Sequence, residues 1–102
     1  MGYTPYSSGY QRLTTSGVVG DSGKPILVSG FAVECGTAAS PFLKDGTSAS
    51  ATVALRLGPC TANQGSPNFL NVPMMLPNGC YASFVTNVNA ITVFYIQQSV
   101  TN

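Results

Sequence analysis

The chain has 102 residues, enough for one domain with a single buried core, and seven of them are charged. An ordinary soluble domain has roughly a quarter of its residues charged. With a charged fraction of 7% and no histidine, the chain has few of the side chains that a catalyst needs. The low charge also indicates that part of the surface is covered by a binding partner. The charged residues are Arg12, Asp21, Lys24, Glu34, Lys44, Asp45 and Arg56.

Neither nucleic acid nor a membrane is expected as a partner. The net charge is +1 and the four basic residues are dispersed, whereas phosphate recognition needs clustered Lys and Arg. The longest apolar stretches, such as Met74–Leu76, are far shorter than the roughly 20 residues of a membrane-spanning helix. Residues 1–11 have no basic start and no apolar segment, so we expect no secretory signal.

Residues 1–11 are predicted to form an extended N-terminal arm. The segment is polar and carries Tyr3, Tyr6 and Tyr10. Tyrosine offers a large contact area with few rotatable bonds, which suits an arm that binds a neighbouring molecule. The alternative is an arm folded back on its own domain. The predicted domains are the arm, residues 1–11, and a β domain, residues 12–102.

About seven strands are predicted in the β domain. No window combines the helical spacing of apolar residues with helix caps, and 11 glycines and 7 prolines interrupt the chain at short intervals. Short strands with such turn signals indicate a small antiparallel β-sandwich of jelly-roll type. The predicted strands are Arg12–Val19, Ile26–Cys35, Ala38–Lys44, Ser50–Leu57, Phe69–Leu76, Cys80–Val85 and Ala90–Gln97.

Period-2 alternation assigns the faces of the central strands. In Ile26–Cys35, Gly30 is expected at a bulge or a close approach. The strand Ser50–Leu57 is predicted to pair with Ala38–Lys44 around the Asp45–Gly46 turn. The residues expected on the buried faces are Leu27, Phe31, Val33 and Cys35 in the first strand and Ala51, Val53, Leu55 and Leu57 in the second.

The last three strands differ in character. Phe69–Leu76 contains Pro73 and is therefore predicted to lie at an edge or to be bulged, with Leu70, Val72, Met74 and Leu76 on its buried side. In the turn before Cys80–Val85, Gly79 is expected to supply a positive φ. Ala90–Gln97 is apolar on both faces, which indicates a central strand or a contact with a neighbouring subunit. Its two faces are Ile91, Val93 and Tyr95, and Phe94 and Ile96.

The three cysteines suggest no zinc site and no disulfide framework. Cys35, Cys60 and Cys80 are widely spaced and contain no C-x-x-C pair. We expect free buried thiols that act as small hydrophobic residues. The alternative is one bridge between two of them on facing strands. Cys60 lies in the longest interval between strands, Gly58–Asn68, which is predicted to be a loop.

No catalytic, cofactor or metal site is predicted. Gly20–Gly23 reads Gly-Asp-Ser-Gly, as in serine-protease nucleophile loops, but without histidine its serine has no base of the usual kind. We therefore expect a turn at Gly20–Lys24. Isolated acids do not make a calcium cage. Most of the aromatic residues are expected to belong to the core.

Three stretches resemble small virion proteins of tailed bacteriophages. They are the hairpin Phe42–Ser50 with the strand Thr52–Leu57, the Pro-Asn-Gly turn and strand Leu76–Tyr81, and the closing strand Val88–Ile96. The resemblance covers roughly residues 17–97, and the tyrosine-rich arm and the loop around Cys60 are not part of the pattern. It implies a compact β-sandwich displayed on the particle, often as a decoration or cement protein of the capsid.

The resulting expectation is a capsid decoration protein that binds the outer surface of the major capsid protein and stabilises the head. It would assemble in the host cytoplasm, without enzymatic activity or cofactor, and form a homo-oligomer, with a trimer favoured. The alternatives are an adhesion or receptor-binding module of a tail or head fibre and, less favoured, a small enzyme. The residues expected to contact the capsid or another subunit are Tyr3, Pro5, Tyr6, Tyr10, Arg12, Phe94 and Ile96.

Overall fold

A computed structural model shows an all-β protein with two antiparallel four-stranded sheets. It describes residues 2–3, 7–37, 39–57, 60, 68–97 and 100–101, and at residues 2, 3, 7, 8, 100 and 101 it describes the backbone alone. The strands in these ranges are β1 Gly2–Tyr3, β2 Ser7–Leu13, β3 Gly17–Val19, β4 Ile26–Cys35, β5 Phe42–Asp45, β6 Thr52–Arg56, β7 Asn68–Leu76, β8 Cys80–Ser83, β9 Val88–Gln97 and β10 Val100–Thr101.

The strands pair in a nested order. β5 pairs with β6, and around this hairpin β4 pairs with β7, β3 with β8, β2 with β9 and β1 with β10, all antiparallel. Two further ladders, β4–β9 and β5–β8, join these pairs side by side. The result is sheet I, with the order β2-β9-β4-β7, sheet II, with the order β3-β8-β5-β6, and a two-stranded terminal ribbon of β1 and β10.

One hydrophobic core is shared by the two sheets. Sheet I contributes inward side chains from its two central strands, such as Val33 on β4 and Val93 on β9. Sheet II contributes side chains from β3, β5 and β8, such as Val19 and Leu43. The largest side chains that are fully buried are Ile26, Leu43, Leu57, Ile91, Val19, Val28 and Val93. Burial of such side chains stabilises the fold by about 1.5–3 kcal/mol each.

The start of the chain differs from the prediction. Residues 7–11, expected in the arm, belong to β2 and pair with β9. The predicted strand Arg12–Val19 is divided, because the chain leaves sheet I after Leu13 and enters sheet II at Gly17. The described ranges thus hold ten strands, rather than about seven. Alternation along the chain does not reveal where a strand passes from one sheet to the other.

A β-bulge reverses part of the predicted face of β4. The strand has the predicted bounds, and its register shifts between Val28 and Gly30, as expected for a bulge near Gly30. One extra residue in a strand reverses the alternation beyond it. Leu27 therefore points away from the core, and its prediction as a buried residue is wrong. The inward residues are Ile26, Val28, Phe31, Val33 and Cys35.

The same effect changes the predicted face of β6. Leu43 pairs with Leu55 and Lys44 with Val53, so Ala54 is an extra residue between these two pairs. Leu57 is buried and Leu55 packs against the core, but Val53 is half exposed. Val53 was predicted to be buried, and that prediction is wrong because the bulge at Ala54 lies between it and Leu55.

β7 is an edge strand with a break in its pairing, as Pro73 predicts. Its ladder with β4 runs from Leu76 to Met74 and resumes at Phe69, so residues 70–73 lie opposite Ser29 alone. Leu76 and Met74 contact the core as expected. Val72 is 80% exposed and was wrongly predicted to be buried, because the irregular segment turns it outward.

The turns at Gly20–Lys24 and before Cys80 match their predictions, whereas the connection between β5 and β6 spans residues 46–51 and is longer than the predicted Asp45–Gly46 turn. Gly79 has a φ of 103°, and Gly20 and Gly23 have φ values of 69° and 75°. The Gly20–Lys24 turn is held by the buried side chain of Gln97, whose Oε1 accepts from Asp21 N at 2.8 Å. Of the predicted loop Gly58–Asn68, Cys60 and Asn68 are described, and the rest lies outside the described residues.

A disulfide bond joins Cys35, at the end of β4, to Cys60. The prediction of free thiols is therefore wrong for these two residues, and the alternative of one bridge is correct. The bond closes a segment that contains the whole β5–β6 hairpin, with a sequence separation of 25 residues. Closing a loop of this length restricts the unfolded chain and stabilises the fold by about 3 kcal/mol.

Cys80 is the remaining free thiol and is buried. Burial, and then the negative charge of Asp45, raise the pKa of Cys80 to about 12. Because the thiolate is the reactive form, this cysteine should be inert in the folded protein at neutral pH.

We predict the number of thiols that react with a chromogenic disulfide reagent. The folded chain should show none, the chain unfolded without reductant should show one, from Cys80, and the chain unfolded after reduction should show three. Three reactive thiols without prior reduction would contradict the Cys35–Cys60 bond. A reactive thiol in the folded protein would contradict the burial of Cys80.

Candidate interaction surface

The outer face of sheet I carries the largest group of exposed apolar side chains among the described residues. Tyr10, Phe69, Val72 and Met75 are each more than half exposed, and all four lie on the two edge strands of this sheet. The side chains that point away from the core on β9 and β4 lie between them. The outer face consists of Tyr10, Arg12, Leu27, Ala32, Glu34, Phe69, Met75, Thr92, Phe94 and Ile96, whereas Val72 lies in the unpaired segment of β7.

Three aromatic side chains cross this face in one row. Tyr10 on β2 pairs with Phe94 on β9, Phe94 pairs with Gly30 on β4, and Gly30 pairs with Phe69 on β7. The ring centroids of Tyr10 and Phe94 are 6.3 Å apart and those of Phe69 and Phe94 are 5.2 Å apart. These distances are within the range of favourable aromatic contacts. We name Tyr10, Phe94 and Phe69 the aromatic row.

Gly30 allows the aromatic row to close. A methyl group at this position would lie 2.6 Å from the carbonyl oxygen of Asn68 and 2.7 Å from Cδ1 of Phe69. Phe69 therefore lies directly over the Gly30 backbone, and this position brings its ring against Phe94. Ser29, the extra residue of the bulge, donates a hydrogen bond from Oγ to the carbonyl of Phe94 at 3.2 Å.

An aliphatic row lies on one side of the aromatic row. Ile96 on β9 pairs with Leu27 on β4, and Leu27 pairs with Met75 on β7. Met75 is 55% exposed, whereas Leu27 and Ile96 are half-buried. Together the two rows extend the apolar surface over all four strands of sheet I.

An ion pair lies on the other side of the aromatic row. Arg12 on β2 donates from Nε and from its terminal nitrogen to the two carboxylate oxygens of Glu34 on β4, at 3.0 and 3.1 Å. The hydrogen bonds to Arg12 lower the pKa of Glu34, and the hydrogen bond to Glu34 raises the pKa of Arg12. Both side chains are about half exposed. Because the two charges neutralise each other, the outer face has no net charge.

Sheet II has a different exterior. Among the described residues of sheet II, Val53 is the one large hydrophobic residue that is exposed. The guanidinium of Arg56 lies 5.3 Å from the centre of the Phe42 ring and covers it. Lys44 donates from Nζ to the carbonyl of Ala49. The extended apolar surface of the molecule is therefore confined to sheet I.

Four of the seven predicted contact residues lie on the outer face of sheet I. Arg12, Tyr10, Phe94 and Ile96 come together there, from strands more than 70 residues apart in sequence. Tyr3 lies on β1, where the backbone alone is described. Pro5 and Tyr6 lie outside the described residues.

The sequence interpretation missed Leu27, Phe69, Met75 and Glu34 as members of this surface. For Phe69 a signal was present, because the predicted buried side of Phe69–Leu76 began at Leu70 and left Phe69 on the other side. Alternation placed Leu27 on the buried face of its strand, because the bulge at Ser29 was not included. Glu34 belongs to this surface through its ion pair with Arg12, a residue 22 positions away in sequence.

No family model, curated protein or solved structure matches this chain. Within the described ranges, no cluster of three or more Cys, Asp or Glu residues could hold a metal ion. The same ranges contain no helix long and apolar enough to cross a membrane.

We predict that Gly30→Ala destabilises the protein by about 1–3 kcal/mol, because the added methyl group must displace the Asn68 backbone and the Phe69 ring. Gly9→Ala is the matched control on β2, since nothing lies within 4 Å of the added methyl group. Urea unfolding measures both free energies, and Gly9→Ala should be neutral or slightly stabilising. Equal stability of Gly30→Ala and the wild type would contradict the close approach of Phe69.

Proposed function

We propose that this protein is a structural component of a bacteriophage virion, a decoration protein that binds the outer surface of the major capsid protein. The observation that carries the proposal is the outer face of sheet I, an apolar surface without net charge that spans four strands. Exposed apolar patches of this extent mark protein interaction sites on soluble domains. A surface of this kind suits a protein that functions in an assembly, with neighbouring proteins covering its apolar side chains.

The strand order supports a virion protein more specifically. The nested pairs β2–β9, β3–β8, β4–β7 and β5–β6, divided over two four-stranded sheets, support the proposal of a jelly-roll sandwich. Capsid proteins of many viruses and many lectins use this architecture. Fold alone does not assign a function, so the strand order supports the proposal jointly with the outer face and the resemblance of residues 17–97.

The disulfide bond also fits a protein that works outside a cell. Disulfides persist in oxidising environments and are rare in the cytosol. Cys35 and Cys60 are 1% and 6% exposed, so the bond is shielded from reductants once it has formed. A cross-link that survives dilution and heat suits a protein that reinforces a particle.

The terminal ribbon supplies the proposed capsid contact. β1 and β10 pair with each other beyond the ends of β2 and β9, and neither has a further neighbour strand among the described residues. An isolated two-stranded ribbon is marginally stable in water. Contact with the capsid would stabilise it, and many copies on one particle would gain avidity from modest single contacts.

A carbohydrate-binding adhesion module is the alternative to a decoration protein. The aromatic row could contact sugars, but its rings are tilted by 52° and 41° to their neighbours and pack against one another. They do not form the flat platform on which successive sugar rings stack. Copy number separates the two functions, since hundreds of copies per particle support decoration and a dozen or fewer support a fibre or tail protein.

We predict that deletion of residues 1–6 abolishes binding to capsids that lack this protein but leaves the domain folded. The deletion removes β1 and ends before β2, so sheet I keeps its four strands. Co-sedimentation with capsids measures binding, and circular dichroism measures folding. Val53→Ser, on sheet II, is the control and should bind fully. Full occupancy by the truncated chain would contradict a capsid contact through the terminal ribbon.

A further inference from the structure

We propose that the outer face of sheet I is covered by the same face of a second copy of this chain, in a symmetric dimer. The inference extends the proposed function, in which neighbours cover the apolar surface, by naming the neighbour. It concerns the isolated protein, and its test therefore needs no capsid.

The exposed residues of the chain favour like-to-like pairing. Among the described residues, five large hydrophobic residues are half exposed or more. Tyr10, Phe69 and Met75 belong to this face, Val72 lies in the unpaired segment of the same edge strand, and Val53 stands alone on sheet II. A ring of copies would have to place the apolar face of each one against a different surface of the next. The described surface offers no second apolar face for that purpose. A two-fold contact matches apolar surface with apolar surface.

The charges of the face permit this contact. All seven charged residues are described, and those on the strands of sheet I are Arg12 and Glu34, which are bound to each other. Two such faces therefore meet without net repulsion and without leaving an unpaired charge in the contact. The net charge of +1 per chain adds little repulsion between whole molecules.

The size of the face is sufficient for a dimer. Four strands about 4.8 Å apart, three of nine or ten residues and one of seven at about 3.3 Å per residue, define a face of roughly 570 Å². Two copies would bury roughly twice that area in total, close to the lower end of the range for specific stable interfaces. Packing of two sheets face to face is also a common arrangement in β proteins.

A two-fold axis parallel to the strands makes the two faces complementary. It places β2 over β7 of the second copy and β9 over β4, so the two aromatic rows meet. Tyr10 then faces Phe69 of the second copy, and Phe94 faces the Gly30 position. The ion pairs of both copies lie at the same end of the contact, with Arg12 directed towards Glu34 of the second copy. This symmetry differs from the trimer that the sequence interpretation favoured.

Light scattering coupled to size exclusion tests the dimer. We expect the purified chain to have twice the mass of the 10.6 kDa protomer and to dissociate on dilution. Tyr10→Ser and Phe69→Ser should each raise the dissociation constant by about 10-fold, because each removes one aromatic contact from the interface. Both side chains are about two-thirds exposed, so their loss leaves no cavity in the core. Val53→Ser is the matched control and should remain dimeric.

The outcomes separate this inference from the proposed function. A monomer at all concentrations, a trimer, or an undiminished dimer of the Tyr10→Ser/Phe69→Ser variant would overturn the symmetric contact. If that variant fails to bind capsids while the wild type is a monomer in solution, the outer face binds the capsid itself. That result would reject the dimer and support the decoration function. A dimer that binds no capsid would retain this inference and reject the decoration function.

Discussion

The ladder between β4 and β9 is the contact on which the rest of the structure depends. The nested pairs alone would form one long folded ribbon, and β4–β9 and β5–β8 are the ladders that bring its strands side by side into two sheets. β4 and β9 occupy the centre of sheet I. On one side they supply Val33, Ile91 and Val93 to the core, and on the other side Leu27, Phe94 and Ile96 to the outer face. The core covers one side of this pair, and the other side is the face for which partners are proposed.

The bulge at Ser29 divides the apolar residues of β4 between these two sides. Without the extra residue, Leu27 would share a face with Phe31 and Val33, and the aliphatic row would lose its central member. The bulge also presents the bare backbone of Gly30 to Phe69. The bulge thus brings Phe69 of β7 against Phe94 of β9, which pairs with Tyr10 of β2 in a regular ladder.

The scarcity of charged residues is most evident on the outer face of sheet I. The strands of sheet I contain one positive and one negative side chain, and each satisfies the other. A neighbour that covered the exposed aromatic and aliphatic side chains would stabilise them by about 25 cal/mol per Å². The half-exposed Arg12–Glu34 pair would lose hydration in the same contact. The decoration function and the symmetric dimer are proposals about which neighbours supply that cover.

The sequence by itself determined the all-β class, the bounds of β4, the glycine turns and the two-sided character of β9. These properties follow from the identities and alternation of neighbouring residues, which act over a few positions. It also indicated Tyr10, Arg12, Phe94 and Ile96 as contact residues, on the grounds that they belong to the start of the chain or to the outer side of β9.

The tertiary structure alone decided the nested pairing, the division of the first strand between two sheets, and the Cys35–Cys60 bond. It also decided that Phe69, Leu27 and Met75 join the outer face and that Val53 and Val72 leave the core. The physical reason is that bulges and strand partners depend on contacts between residues distant in sequence. A single extra residue reverses every later side chain in a strand, and alternation read along one strand contains no information about the strand beside it.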